Sequence, residues 1–579
     1  MGLTSSLLIG QSALSASQVA LQVTGNNIAN AATPGYHRQR VGMVPIQGQS
    51  IGPGLFTGRG TAIDDIRRVL DPALQARVRA SVSDERAASV AVDVMNQIES
   101  LTNELTGIDL SSELGRFFNA FSELANNPSG TATRSAVIEQ GAALASYVKG
   151  LRTDLVDSRR ALDDQIRSSV ERADELLADI ATINNAVVNS ELGRGEEGNL
   201  RDQRDALVSE LAELMDITVV ERESGALDVL VASQPVVLGS TSRGLEFDIR
   251  TVNDELRVRV RTKIDQTELD VTSGRVGALL EQREVGFVAT INDLDELASS
   301  VIFEVNKLHT SGRPSGGLTD TTGDLIVQPA DQTRALNDPD NASIAGLPFA
   351  PRNGSFRVIV TDENGNTAEQ TVFVDLDGID SSGSPGFGDD TSMQDIVAAL
   401  NANPGLPDLN AEITPAGRLR VWTDAGFDVS FADDTSGALA VFGINTFFTG
   451  SDASDIAVRG ELRADETMLV VGSAPGSNET ALSIAALRDE PVDGQSGSTV
   501  MESWRSTVER NAVATAAAST RYDALAAVRS SLEAQEQAVS GVSLDEESVN
   551  LIQHQQQYTG AARFIQVTDE LTQILLSLV

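Results

Sequence analysis

Residues 2–41 read GLTSSLLIGQSALSASQVALQVTGNNIANAATPGYHRQRV. Leu7, Leu14, Leu21 and Ile28 recur seven residues apart, with Gly10, Ser17 and Thr24 between them. Such a repeat lays a narrow apolar seam along a helix, fit for close pairing with a partner helix. The end of the helix is also written locally. Asn30 tolerates a left-handed or capping conformation. Pro34 stops continuation and pushes Thr33 toward an extended backbone. Gly35 supplies the positive φ of a sharp turn, and Tyr36 to Val41 can then run extended. Ala29, Ala31 and Ala32 are small enough for neighbouring copies to approach, which makes Asn27, Ile28, Asn30, Thr33, Gly35 and Tyr36 candidate assembly residues. His37 has no nucleophile or acid beside it in sequence and is read as part of this joint.

The other end of the chain answers the first. In SLDEESVNLIQHQQQYTGAARFIQVTDELTQILLSLV, residues 543–579, Leu544, Leu551, Tyr558 and Ile565 are seven apart. A second track runs from Phe564 through Val567, Leu571, Ile574 and Leu578. Ser543 and Glu546 have capping-box spacing ahead of the apolar run. The economical inference is that both ends form seam-bearing helices that pack together.

Between the ends, Leu144, Val148, Leu151, Leu155, Leu162, Ile166, Leu176, Ile180, Ile183 and Val187 mostly keep a three–four step without an intervening proline, which predicts a long helix. Leu280, Phe287, Leu294, Val301 and Leu308 mark another helical run, with Ile291, Ala298 and Val305 beside them. Ala518, Leu525, Leu532 and Val539 mark a third. Residues 217–271 change period: in LRVRVRTKI, Leu256, Val258 and Val260 alternate with arginines, as in a half-exposed strand. SFRVIVTDENGNTAEQTVFVDL reads as a hairpin turning at DENGN, and SMQDIVAALNAN as a short helix. The expected fold is mainly α with β-rich parts: an elongated multi-domain chain whose long antiparallel helical bundle is built from both ends. Its expected divisions are a coiled-coil segment at 1–45 pairing with 541–579, a helical rod at 46–345 with its β region near 217–271, an inserted β-rich outer domain at 346–461, and a return to the rod at 462–540. Residues 310–345 read as the incoming linker.

Composition narrows the function. A chain of 579 residues suggests several domains, and 4% aromatic content leaves the cores to aliphatic residues. The net charge of −40 opposes sustained phosphate binding, so no nucleic-acid partner is expected. That charge makes free chains repel, so self-assembly must bury apolar surface. Absence of cysteine excludes disulfides and thiolate chemistry. No basic n-region with a continuous apolar h-region opens the chain, so no cleavable signal peptide is expected. No run of about 18 apolar residues predicts a membrane span.

The search for chemistry is brief. His37, His309 and His554 are far apart and match no HExxH pattern. GRGEEG, with Gly193, Gly195 and Gly198, lacks a preceding strand, and Glu196 and Glu197 would repel a pyrophosphate. DLDGID, with Asp375, Asp377 and Asp380, resembles part of a calcium loop but lacks its later glutamate. No G-x-S-x-G elbow occurs. The expectation is a non-enzyme with no catalytic, cofactor or metal residues.

ALSASQVALQVTGNNIANAATPGYHRQRV resembles the N-terminal signature of bacterial flagellar rod, hook and hook-associated proteins. Three other segments resemble the hook-associated members that join hook to filament: NLRDQRDALVSELAELMDITVVE at 199–221, ALLEQREVGFVATINDLDELASSVIFEVNKLHTSG at 278–312 with its Asn306, His309 and Gly312 turn, and SGVSLDEESVNLIQHQQQYTGAARFIQVTDEL at 540–571. AVFGINTFFTGSDASDIAV at 440–458 resembles the outer domain of that family. Residues 313–340 match it only loosely. The resemblance implies an extracellular structural protein of the flagellum, exported from the cytoplasm by the flagellar type III apparatus. It implies contacts with further copies, the hook protein and an adjacent junction protein, and a cytoplasmic export chaperone at the C-terminal part. The alternatives are a hook or distal-rod protein, or a secreted adhesin or polysaccharide-acting enzyme using 346–461.

Overall fold

A computed structural model describes all residues except 1, 53–54, 105–106, 192–194, 253–254, 403–405, 407, 475, 493–494, 496 and 578–579. Helix α1 (Gly2–Asn30) leads into strands β1 (Gln39–Pro45), β2 (Gln49–Gly52), β3 (Leu55–Thr57) and β4 (Thr61–Arg68). Four helices follow: α2 (Pro72–Leu101), α3 (Leu110–Asn126), α4 (Thr131–Glu191) and α5 (Gly198–Leu214). Strands β5 to β11 fill Ile217 to Leu269, and then come α6 (Gly274–Glu281) and α7 (Phe287–Thr310). Further on lie β12 (Asp320–Thr322), α8 (Ala342–Ala345), β13 (Gly354–Asp362), β14 (Thr367–Val374), α9 (Met393–Asn401), β15 (Leu409–Ile413), β16 (Leu419–Thr423) and β17 (Phe427–Ala432). The chain closes through α10 (Ala438–Phe442), β18 (Phe448–Thr449), β19 (Ala457–Val458), α11 (Gly460–Ala464), α12 (Glu479–Ala486), α13 (Val500–Ser540) and α14 (Leu544–Ser577).

Two compact units result, residues 1–94 with 161–284 and 516–579, and residues 95–160 with 285–515. In the first, α1 and α14 pair antiparallel: Gly10 lies against Phe564 and Ile565, while Asn27 meets Glu547. The expected leucine seam is not what this pair buries. Its buried row on α1 is Gly10, Ala16, Ser17, Ala20, Val23, Thr24 and Asn27, and on α14 Glu547, Ala561 and Thr568. Leu14, Leu21 and Ile28 are only half-buried on the flank, and Leu7, Leu544, Leu551 and Tyr558 are exposed. The sevenfold period was legible, but the small residues between the leucines are the ones that permit close backbone approach. A Cβ on Gly10 would lie 2.6 Å from Ile565 Cγ1.

The same unit holds the antiparallel β1–β4 ladder, which the helical reading of residues 46 onward did not anticipate, and the small β2–β3 hairpin. The β region near 217–271 is present as a four-stranded and a three-stranded sheet. Val258 and Val260 are buried as the alternation requires, but Leu256, the second residue of its strand, is exposed.

In the second unit, α7 buries Phe287, Ile291, Leu294, Ala298, Val301 and Val305, the stripe expected from sequence. The predicted hairpin forms as β13 and β14, with Thr361 opposite Thr367. The predicted short helix α9 is capped by Ser392 and Asp395, each bonding the other's backbone N–H. One core joins Leu318, Val327, Leu336 and Ile344 to Phe356, Val358, Met393, Leu419 and Phe431. Residues 310–345 are therefore not a plain linker: β12 pairs with β16, and the β-rich part takes its core from Leu318 onward, ahead of residue 346. Helix α4 spans 61 residues, and the predicted apolar positions along it are buried, with Ile183 half-buried.

Candidate assembly site

The joint after α1 is organised by Asn27, which is 1% exposed. Its Nδ2 donates to the Gln39 carbonyl (2.9 Å) and to Glu547 Oε2 (3.0 Å). Its Oδ1 accepts from the Tyr36 hydroxyl (2.8 Å) and the Gln39 N–H (3.0 Å). One amide thus ties the helix, the strand that leaves it, and α14 from the far end of the chain. Gly35, at φ +74°, makes the turn that returns Tyr36 to Asn27. Helix α1 stops ahead of Pro34, but Asn30 is neither left-handed nor a cap: it is the last helical residue, and its Nδ2 bonds back to the Asn26 carbonyl (2.9 Å).

Arg38 completes the closure. Its Nε donates to Glu547 Oε1 (2.9 Å), its Nη1 to Glu546 Oε2 (2.7 Å), and its backbone N–H to the Ser540 carbonyl (2.9 Å). Glu547 is 2% exposed, so its charge is held by Arg38 and Asn27 and not by water. Burial, then the nearby carboxylates of Asp202 and Glu547, push the Tyr36 hydroxyl up to about 12. It remains a donor to Asn27 throughout the physiological range.

The RDQRD run on α5 explains itself here. Arg68 Nη1 lies 2.7 Å from both Asp202 Oδ1 and Asp205 Oδ2. His37 Nδ1 lies 2.7 Å from Asp202 Oδ1, and its Nε2 is 3.0 Å from Gln75 Nε2. Arg201 grips Glu191 with two bonds and reaches Glu221 (2.7 Å). Arg204 is buried against Asn184 Oδ1 and the Gly225 carbonyl (2.6 Å), and desolvation brings its pKa down to about 10. His37, Asp202 and Asp205 have metal-ligand spacing, but the Arg68 guanidinium occupies the cationic place among them. Sequence reasoning set His37 aside for want of a nearby acid; its acid is 165 positions away.

In the second unit the Asn306, His309 and Gly312 turn is a buried clamp. Asn306 Nδ2 donates to the Phe448 carbonyl (2.9 Å), while its Oδ1 accepts the N–H groups of Phe447 (3.0 Å) and Phe448 (2.8 Å). His309 donates from Nδ1 to the Asn445 carbonyl (2.8 Å) and accepts at Nε2 from the Val470 N–H (3.1 Å). That pattern fixes a neutral imidazole, and full burial lowers its pKa to about 4. A Cβ on Gly312 would stand 2.2 Å from Val470 Cγ1.

The remaining candidates separate. Asn27, Gly35 and Tyr36 meet in the clasp, and Thr33 Oγ1 sits 3.4 Å from Asn30 Oδ1. Leu7, Leu544, Leu551, Tyr558 and Leu571 are exposed, with Leu14, Leu21, Ile28 and Ile565 half-buried. Leu578 lies outside the described residues, as does Gly193 of the glycine pattern. Of the calcium-like run, Asp375 and Asp377 approach Asp390, not Asp380, which caps its own turn at Ser382 and Ser384. Glu547, Arg38, Asp202 and Arg68 were missed; the buried-charge requirement is visible only once both ends of the chain meet. Among the described residues no helix is long and apolar enough to cross a membrane.

Comparison with known proteins agrees along the whole chain. Residues 95–325 match the flagellar hook-associated protein FlgK helical domain, residues 7–37 the flagella basal body rod protein family, and residues 535–578 the flagellar basal body rod FlgEFG protein C-terminal family. Flagellar hook-associated protein 1 of Salmonella typhimurium is 26% identical, over 98% of each chain. Its counterpart in Escherichia coli is 24% identical over 98% of each. That of Bacillus subtilis is 26% identical over 54% of this chain and 69% of its own length. In fold, the chain is similar to the flagellar hook junction protein FlgK from Burkholderia pseudomallei, with a TM-score of 0.50, 15% identity, and coverage of 80% of this chain and 100% of that one. With matches to a hook-associated helical domain inside and to rod-type segments at both ends, this chain is similar to the hook-associated branch of the flagellar axial proteins.

Proposed function

We propose that the protein is a structural subunit of the bacterial flagellum that joins hook to filament, and that it assembles through the α1–α14 pair. The observation that carries this is the surface of that pair. In a chain of net charge −40, α1 contains no charged residue at all. Its contact with α14 uses small side chains, leaving Leu7, Leu8, Leu544, Leu551, Ile552, Tyr558, Leu571 and Ile574 exposed. An apolar stripe of this kind marks an interface. On the α1 side it also offers uncharged surface in an acidic molecule, where copies meet with less charge repulsion.

The partners on this reading are further copies, the hook protein and an adjacent junction protein. An export chaperone would cover the C-terminal part in the cytoplasm before passage out of the cell. The work is mechanical, with no catalysis assigned. A seam made of glycine, alanine and threonine buries little apolar area, and isolated helices need packing partners. The terminal pair is therefore largely unfolded before assembly, and its ordering entropy is offset by the neighbours it meets.

A strain lacking its own junction protein tests the reading by electron microscopy. This chain should restore filaments to bare hooks, and the Leu551→Asp, Ile565→Asp variant should not, while its β13–β14 part stays folded. Normal filaments with that variant refute assembly through α14. Circular dichroism of the chain lacking 1–45 and 541–579 checks the folding step. Loss of the helix signal of all 29 residues of α1 and 34 of α14 from the free monomer would sink it.

A further inference from the structure

The β2–β3 hairpin presents Ile51, Leu55 and Phe56 at 65%, 61% and 73% exposure. No charged residue occurs between Arg40 and Arg59. Three large apolar side chains on one small hairpin, without a gatekeeping charge, form a knob with no cover in the free chain. The same unit carries an apolar groove of about 500 Å³ between α1 and α14, with Ile9, Ala13, Ala16, Met43 and Phe564 in its walls. None of its lining residues is charged, and none belongs to the hairpin.

We infer that the hairpin of one copy docks in the α1–α14 groove of a second copy. This rests on the assembly reading above and adds the contact that orders the copies. Knob and groove are different surfaces of one chain, so the contact is head-to-tail and repeats from copy to copy, which closes a ring when the rotation allows. Like charge disfavours most other faces as partners in so acidic a molecule, whereas these two surfaces are both uncharged. The groove lining is small-residued at Gly10, Ala13, Ala16 and Gly560, which leaves room for an aromatic side chain. A Cβ at Gly560 meets nothing within 4 Å, so the groove can be filled from its own wall without disturbing the pair.

Because the chain has no cysteine, one introduced pair reports the contact cleanly. Two tagged chains, one Phe56→Cys and the other Gly560→Cys, are produced together in a strain without its own junction protein, and junctions are oxidised and isolated. A disulfide joining the two tags is expected. Phe56→Ser and, separately, Gly560→Phe should each lower filament-bearing hooks by about tenfold or more, the effect of losing one buried aromatic anchor. The inference is overturned if the two tags never join, if a chain carrying both cysteines closes only on itself, or if Phe56 is captured by a different protein. In each of those cases the assembly reading survives provided Leu551→Asp, Ile565→Asp still blocks junctions. If the parental chain itself restores no filaments, that reading fails first.

Discussion

Replacing Asn27 by alanine should loosen the clasp at both ends of the chain. The amide makes four hydrogen bonds, to Gln39 N–H and C=O, the Tyr36 hydroxyl and Glu547. Tyr36 reaches solvent and Glu547 keeps Arg38, so the main loss is the orphaned Gln39 pair. A buried polar group left without a partner costs about 1–3 kcal/mol, and partial solvent access to Gln39 brings the total to about 2–3 kcal/mol. At 1.4 kcal/mol per tenfold, the backbone amides of Tyr36 to Val41 should exchange about 30- to 150-fold faster. Hydrogen exchange in assembled junctions, read by mass spectrometry on peptides covering 27–41, measures this without assuming a single global transition. Asn27→Asp should be worse at neutral pH, because it sets a carboxylate where an amide now donates to Glu547. Its defect should ease in acid, since a shared proton restores the donor. An exchange change under twofold for Asn27→Ala, or an Asn27→Asp variant firmer than the parent at pH 7, would refute the role given to this residue.

Three further outcomes follow from the same geometry. His309 titrates near 4 in the folded chain against 6.5 when unfolded; the unfolded state binds the extra proton between those values, so stability falls as pH drops from about 6.5 to 4, by roughly 3 kcal/mol in all. Comparing thermal unfolding of the parent and His309→Gln across that range isolates this slope, and equal slopes would contradict it. Gly10→Ala should weaken the α1–α14 pair by about 1–3 kcal/mol through contact with Ile565, whereas Gly25→Ala, with nothing within 4 Å, should strengthen helix α1 by about 0.5–1 kcal/mol; helix content of assembled junctions against temperature orders the two. Gly312→Ala should lower the melting temperature of the unit containing α7, because the methyl meets Val470 and the Gly472 carbonyl.

Much of this chain is local, and local features read directly from residues. The three–four step of α4, the DENGN turn between β13 and β14, the Ser392 cap and the positive φ of Gly35 each depend on a few neighbouring side chains and on backbone sterics. The seam at the chain ends was legible as a period but not as a face. A heptad of leucines and a heptad of glycine, serine and threonine share one helix, and only the partner decides which is buried. The start of the β-rich core at Leu318 was hidden because its contribution comes from irregular segments that carry no periodicity.

The sequence by itself determined that two seam-bearing ends frame helical and β-rich parts, that their surface is acidic, and that a joint follows the first helix. Those are consequences of residue spacing and composition. Only the tertiary structure decided what the joint is for. Asn27 and Glu547 are 520 positions apart, and His37 and Asp202 are 165 apart. No local rule prices a carboxylate until another part of the chain takes its water away, so the clasp that holds the two ends together exists only in the fold.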